Sequence, residues 1–187
     1  MSVLHALEMA AAVTRREQAL TVGEGGDLAQ LPDKMGAIQA AARVFDGLGV
    51  VYALIGGLAV GIRSGVPRAT LDVDFAIPTS VDKAKLKEAF TAQGFAATGD
   101  FAHSINFEHS SGEPVQLAFD PLFDAMIERA EAVPLGSLNL RVVTREDLIA
   151  MKRRAGADPG RRRSKALRDQ ADVALLEGDV PEPHEGW

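Results

Sequence analysis

The chain has no cysteine, which excludes disulfide staples and thiolate metal sites and suits a reducing, cytoplasmic setting. Aromatic residues are scarce, at 5% of 187 positions, so an extended base-stacking platform is not expected. No apolar run approaches the ~20 residues of a membrane-spanning helix, and no membrane partner is expected. The N-terminal apolar stretch contains His5 and Glu8, and Arg15 and Arg16 follow it instead of preceding it, so it does not read as a secretory leader. There is no Gly-x-x-x-x-Gly-Lys phosphate loop and no Gly-x-Ser-x-Gly elbow. A surplus of positive charge is lacking too. The formal net charge of −6 argues against a generic nucleic-acid binder.

Charge is unevenly distributed, however. Residues 151–168 hold Lys152, Arg153, Arg154, Arg161, Arg162, Arg163, Lys165 and Arg168 against a single acid, Asp158. Such a segment on an acidic protein can take polyphosphate or RNA, or can be a solvated helix face; both readings stay open.

Nearly half of the residues are apolar, enough for a sizeable core. Periodicity predicts a helix over 2–20, then a break at Gly23–Asp27. Asp33 is placed to cap a second helix in which Met35, Ile38, Ala42, Phe45 and Leu48 face inward, with Gly49 at its exit. Val50–Ile55 reads as a buried strand, 58–64 as a short helix ended by Val66-Pro67, and Leu71–Ile77 as a second strand. A helix follows over Asp82–Gln93, with Ala84, Leu86, Ala89 and Phe90 inward. Phe101–His109 and Pro114–Phe119 read as a hairpin. Leu122–Ala132 reads as a helix and Leu138–Val143 as a strand. Thr144 and Asp147 form a capping pair for a helix to about Ala155. The last helix spans Arg162–Glu177, with Leu167, Ala171, Ala174 and Leu175 on one side. This order of elements is that of an α+β or α/β domain with a small mixed sheet.

Two features carry chemistry. In Leu71–Ile77, alternation places Leu71, Val73, Phe75 and Ile77 on one face and Asp72 and Asp74 on the other. Adjacent carboxylates repel unless a cation lies between them. Magnesium takes such oxygens at about 2.0–2.1 Å and completes its shell with water and substrate phosphates. Upstream, Gly56-Gly57 follows the first strand and opens a helix. Glycine permits close approach of an anion, and the helix N-terminus presents free N–H groups to it. Arg63 and Arg68 flank this segment and are placed to add charge-assisted bonds.

The stretch Leu54-Ile55-Gly56-Gly57-Leu58-Ala59-Val60 with Pro67-Arg68-Ala69-Thr70-Leu71-Asp72-Val73-Asp74-Phe75 resembles the polymerase-β-like nucleotidyltransferase superfamily. Within it, the chain is similar to the bacterial AbiEii-type toxins and their relatives. Val142–Lys152 and Arg168-Asp169-Gln170-Ala171-Asp172 match further downstream, and the resemblance spans roughly residues 36–177. It implies the nucleotidyltransferase fold for 34–177, helical from about 144; residues 1–33 lie outside it as an N-terminal helical extension, and 178–187, rich in proline and acid, reads as a flexible tail. It also implies transfer of a nucleoside monophosphate from a triphosphate to an acceptor hydroxyl, using Mg2+ (or Mn2+). By resemblance, Asp72 and Asp74 hold the metal, Gly56 and Gly57 cradle the triphosphate, and Arg68 and Lys152 add phosphate contacts. Asp169 and Asp172 anchor the last helix. The implied acceptors are RNA (tRNA ends), a protein or a small molecule such as an antibiotic, and the implied partner is an antitoxin.

One position departs from the pattern. Relatives carry a third carboxylate on a later strand, where this chain has Gln116. Its amide can bind a metal but cannot act as a general base. Asp120 has the right parity but lies about 13 Å along a strand; Glu108 and Glu113 lie nearer, at the turn. The substitution leaves two readings: an enzyme with two acidic ligands, or a catalytically impaired module that binds nucleotide or a partner.

Overall fold

The computed structural model describes residues 8, 9, 12, 33–135 and 138–180. Of the helix expected over 2–20, only Glu8, Met9 and Ala12 fall within them; these are helical and exposed. The rest of the 1–33 extension and the tail beyond 180 lie outside the described residues.

From residue 33 onward the elements are α1 (Lys34–Leu48), β1 (Ala53–Ile55), α2 (Gly56–Ser64), β2 (Val73–Ala76), α3 (Lys83–Ala92), β3 (Phe95–Phe101) and β4 (Ser104–His109). They continue with β5 (Pro114–Ala118), α4 (Pro121–Arg129), β6 (Glu131–Leu135), β7 (Leu138–Val142), α5 (Arg145–Ala157) and α6 (Arg163–Glu177). One mixed sheet runs in the order β3-β4-β5-β2-β1-β7-β6. β2 pairs antiparallel with β1 and parallel with β5, and β1 pairs parallel with β7. This is the mixed-sheet α/β architecture that the sequence leads one to expect.

Local chemistry sets the helix ends. Asp33 accepts from the Gly36 amide, and Gly49 closes α1 in the left-handed region at φ 64°. Asp82 caps α3, and Thr144 Oγ1 accepts from the Asp147 amide while donating to its carboxylate, opening α5.

The scarce aromatics are concentrated in one place. Phe45 stacks on Tyr52 with centroids 4.4 Å apart and meets Phe75 at 5.2 Å and Phe90 at 5.4 Å; Phe90 continues to Phe107 and Phe95. This cluster, under α1 and α3, receives the apolar face of β2, where Val73 and Phe75 are fully buried. The opposite face of β2 is thereby turned toward α2, α5 and α6.

Four expectations are corrected. Phe95–Phe101 is a strand, not a connection; only Phe95 is buried, so it shows no alternation, and it pairs with β4 through an irregularity at Ala97/Gly99. Helix α4 stops at Arg129, and 131–135 forms an edge strand that tolerates Pro134. Leu48 is exposed at the end of α1, and Ala84 is exposed on α3. Helix α6 buries Asp169, Asp172, Val173 and Leu176, whereas Leu167 and Ala171 face outward. Its inner stripe is partly carboxylate, which an apolar periodicity cannot reveal.

Candidate active site

The turn from β1 into α2 lies against β2. Gly56 has φ 71°, and a β-carbon on it would stand 2.0 Å from Asp74 Oδ2. A β-carbon on Gly57 would meet Thr70 Cβ at 2.9 Å. Gly56 is therefore required by closeness to the strand that carries Asp74, and Gly57 by closeness to the segment that precedes it. Ile55, at the helix N-cap, makes no side-chain cap, so no capping side chain occupies the first-turn amides of α2.

Asp72 and Asp74 share a cleft of about 780 Å³ with Gly56, Gly57, Arg68, Gln116 and Lys152. All seven sequence-predicted site residues meet there. Asp72 is exposed and accepts from Thr70 Oγ1 at 3.1 Å; Asp74 is half-buried. Burial, and then the neighbouring charge of Asp72, pushes the Asp74 carboxyl up to about 7; Lys152, Lys165 and Lys34 pull it back more weakly.

Gln116 stands level with Asp74 on the adjacent strand, and Asn106 is level with Gln116 on the next. Gln116 Nε2 donates to Asn106 Oδ1 at 3.0 Å. The floor of the cleft is thus carboxylate and amide, with the Asn106 amide behind it, outside the cleft lining. Asn106 was legible in principle, because it has the parity of Gln116 across the 110–113 turn.

The far wall comes from α5 and α6. Lys152 Nζ lies 3.0 Å from Asp169 Oδ1 and 2.9 Å from Asp172 Oδ2. Arg68 Nε reaches Asp172 Oδ1 at 2.7 Å, and Arg161 pairs with Asp169. Both aspartates are almost fully buried. Their charge is matched by these three cations. Arg162, Lys165 and Arg168 also line the cleft, and none of them makes an ion pair among the described residues.

The other candidates are engaged elsewhere. Arg63 donates to the carbonyls of Val142 and Val143 and pairs with Glu131, so it staples α2 to β7 and β6. Asp120 caps α4 through the Leu122 amide. Glu108 is exposed, and Glu113 is buried against Lys34. Burial pushes the Glu113 carboxyl up, and the Lys34 hydrogen bond opposes this. Among the described residues, none of these acids replaces the third carboxylate.

Among the described residues no three His, Cys, Asp or Glu side chains gather closely enough to form a metal cage. The cleft offers two carboxylates and an amide, all hard oxygen donors. That set suits a magnesium-like ion whose shell is finished by phosphates and water. Burial first, and the charge of Asp72 second, raise the Asp74 carboxyl, and a bound cation would oppose both.

No curated protein sequence matches the chain. Solved structures do. A nucleotidyltransferase-like antigenic protein from Paracoccidioides brasiliensis aligns at 23% identity over 83% of this chain and 81% of its own, with TM-score 0.53. The lincosamide antibiotic adenylyltransferase LnuA, bound to lincomycin, aligns at 13% identity over 80% of this chain and 99% of its own, with TM-score 0.58. ANT(2")-Ia in complex with adenylyl-2"-tobramycin aligns at 18% identity over 78% and 90%, with TM-score 0.57. At these identities the likeness shows a shared nucleotidyltransferase fold. The family model described as nucleotidyl transferase AbiEii toxin, type IV TA system, matches residues 40–185, which include every cleft residue named above, and the chain belongs to this nucleotidyltransferase family.

Proposed function

We propose that the cleft moves a nucleoside monophosphate from a nucleoside triphosphate to a hydroxyl on RNA, with Mg2+ (or Mn2+) held by Asp72 and Asp74. The observation that carries this reading is that Asp72, just before β2, and Asp74, on it, line one cleft, with Asp74 against the Gly56 bend at a helix N-terminus. The bound ion supplies Lewis-acid polarisation and neutralises phosphate charge.

The protein's own groups divide the remaining work. The first-turn amides of α2 at Gly57 and Leu58 receive phosphate oxygens, and the glycines keep that approach open. Arg68 and Lys152 border the same space, but both already serve Asp172, so they contribute field more than free donors. Gln116 orients an oxygen through its amide and takes no proton. The acceptor oxygen bonds to the α-phosphorus, the bond to pyrophosphate breaks, and the hydroxyl proton passes to solvent. Arg162, Lys165 and Arg168, which make no ion pair among the described residues, offer a cationic wall to the phosphodiester chain of the acceptor. A cytoplasmic setting and an antitoxin partner go with this reading. Among the described residues no helix is long and apolar enough to cross a membrane.

Gln116 favours a second reading, a module that binds nucleotide without transfer, because its amide is tied to Asn106 and no acid among the described residues takes its place. One experiment separates the two. The protein is incubated with α-labelled triphosphates, Mg2+, and RNA, protein or aminoglycoside acceptors. Label on RNA that is lost in Asp74→Ala supports transfer. Label on protein or small molecule moves the acceptor class. Triphosphate binding with no transfer to any acceptor supports the second reading.

A further inference from the structure

Lys34 lies outside the segment matched by the family model and on the first turn of α1, a position expected to be solvated. It is instead 3% exposed. Its ammonium donates to the Leu71 carbonyl at 3.1 Å and pairs with Glu113, itself 1% exposed. Burying two charges is costly, and an apolar pair of similar volume would serve stability as well. Something other than stability is therefore to be sought in the pair.

Its connections give the answer. Leu71 directly precedes Asp72, in a stretch between α2 and β2 that belongs to no helix or strand. Leu71 has an exposed side chain, so packing does not fix this residue. Glu113 ends the turn that leads into β5 and Gln116. One ammonium thus ties α1 to both segments that deliver the cleft's polar floor. We propose that Lys34 is a positioning residue: by holding the Leu71 carbonyl and Glu113 together it sets where the Asp72 carboxylate stands, and hence the affinity of the cleft for a divalent cation. The inference rests on the metal reading given above.

The test uses the full chain, Mn2+ as probe, and the NMR resonances of Asp72 in aspartate-labelled protein. Electrostatics alone and positioning predict opposite signs. Lys34→Gln removes a positive charge near the acids, which by charge alone tightens Mn2+. Positioning predicts at least tenfold weaker Mn2+ binding and a displaced Asp72 signal. Because Lys34→Gln strands Glu113 in the interior, Lys34→Met with Glu113→Leu is the companion variant: it removes both charges, is expected to fold, and should show the same weakening. Unmoved Asp72 resonances, or Mn2+ binding unchanged or tighter in a folded variant, overturn the proposal. If the unaltered protein binds no Mn2+, the metal reading falls, and the Asp72 resonances alone decide whether Lys34 positions it.

Discussion

Asp74 occupies the space that a side chain at Gly56 would need: 2.0 Å separates its Oδ2 from the position of the missing β-carbon. Gly56→Ala therefore meets two obstacles, the clash and a φ of 71°. The backbone strain alone is of order 1–3 kcal/mol, and relief of the clash must push Asp74 out of register with Gln116. Urea denaturation should show that loss, and nucleotide transfer should fall more than tenfold. Gly57→Ala, which meets Thr70 at 2.9 Å without a positive φ, should be milder in both measurements.

The burial of Asp74, reinforced by the charge of Asp72, predicts a pH dependence in metal-free protein. Asp74 titrates near 7 in the folded state and near 3.8 when unfolded. Below about 4 both states hold the proton and the residue is neutral to stability. As pH rises from 4 through 7 the unfolded state loses its proton first, so folding is progressively disfavoured, and the full cost is present above 7. Asp74→Asn should thus raise the melting temperature by a few degrees at pH 8 and leave it unchanged at pH 4. Mg2+ should stabilise the unaltered protein at pH 8 and have little effect on Asp74→Asn. Equal melting temperatures of the two proteins at pH 8 would count against the raised carboxyl.

The part of the site that was legible lies on β2. Val73 and Phe75 are buried, while Asp74 between them and Asp72 just before the strand line the cleft. The glycine bend was legible too, since the apolar run before it ends abruptly. Elsewhere the usual signals are absent. Strand β3 buries only Phe95 and so does not alternate; β6 alternates at Val133 and Leu135, but Pro134 between them argues against a strand in the sequence. On α6 the inner stripe is made of Asp169 and Asp172, whose burial depends on Lys152, Arg68 and Arg161 from other segments. Buried charge is specified by its partners, and partners distant in sequence leave no local pattern. Arg68 and Asp172, 104 positions apart, are the extreme case, and Lys34 and Glu113 are 79 apart.

Lys152 holds two buried aspartates at once, and this fixes what its loss should do. Lys152→Met leaves Asp169 with Arg161 and Asp172 with Arg68 but removes the cation between them. Breaking a buried pair from one side typically costs about 3–5 kcal/mol. The expected phenotype is a less stable protein in which the α5–α6 hairpin loosens first, readable as faster amide exchange in α6 than in α1. Asp172→Asn in the same background should recover part of the stability. A Lys152→Met protein as stable as the original would show that the ion cluster is not what holds α6.

Arg162, Lys165 and Arg168 face the cleft without acidic partners among the described residues, so their removal should separate binding from folding. Alanine at all three positions takes away no ion pair and should leave the melting temperature within a few degrees. Under the RNA reading, affinity for a short single-stranded oligonucleotide should drop at least tenfold. The slope of log affinity against log salt should flatten by about 2, since each phosphate contact on a single strand contributes roughly 0.7. Triphosphate binding, held by α2 and the acids on the opposite wall, should fall far less. If triphosphate affinity collapses while oligonucleotide affinity and its salt slope stay unchanged, the cationic wall serves the nucleotide, and the acceptor must be sought on another surface.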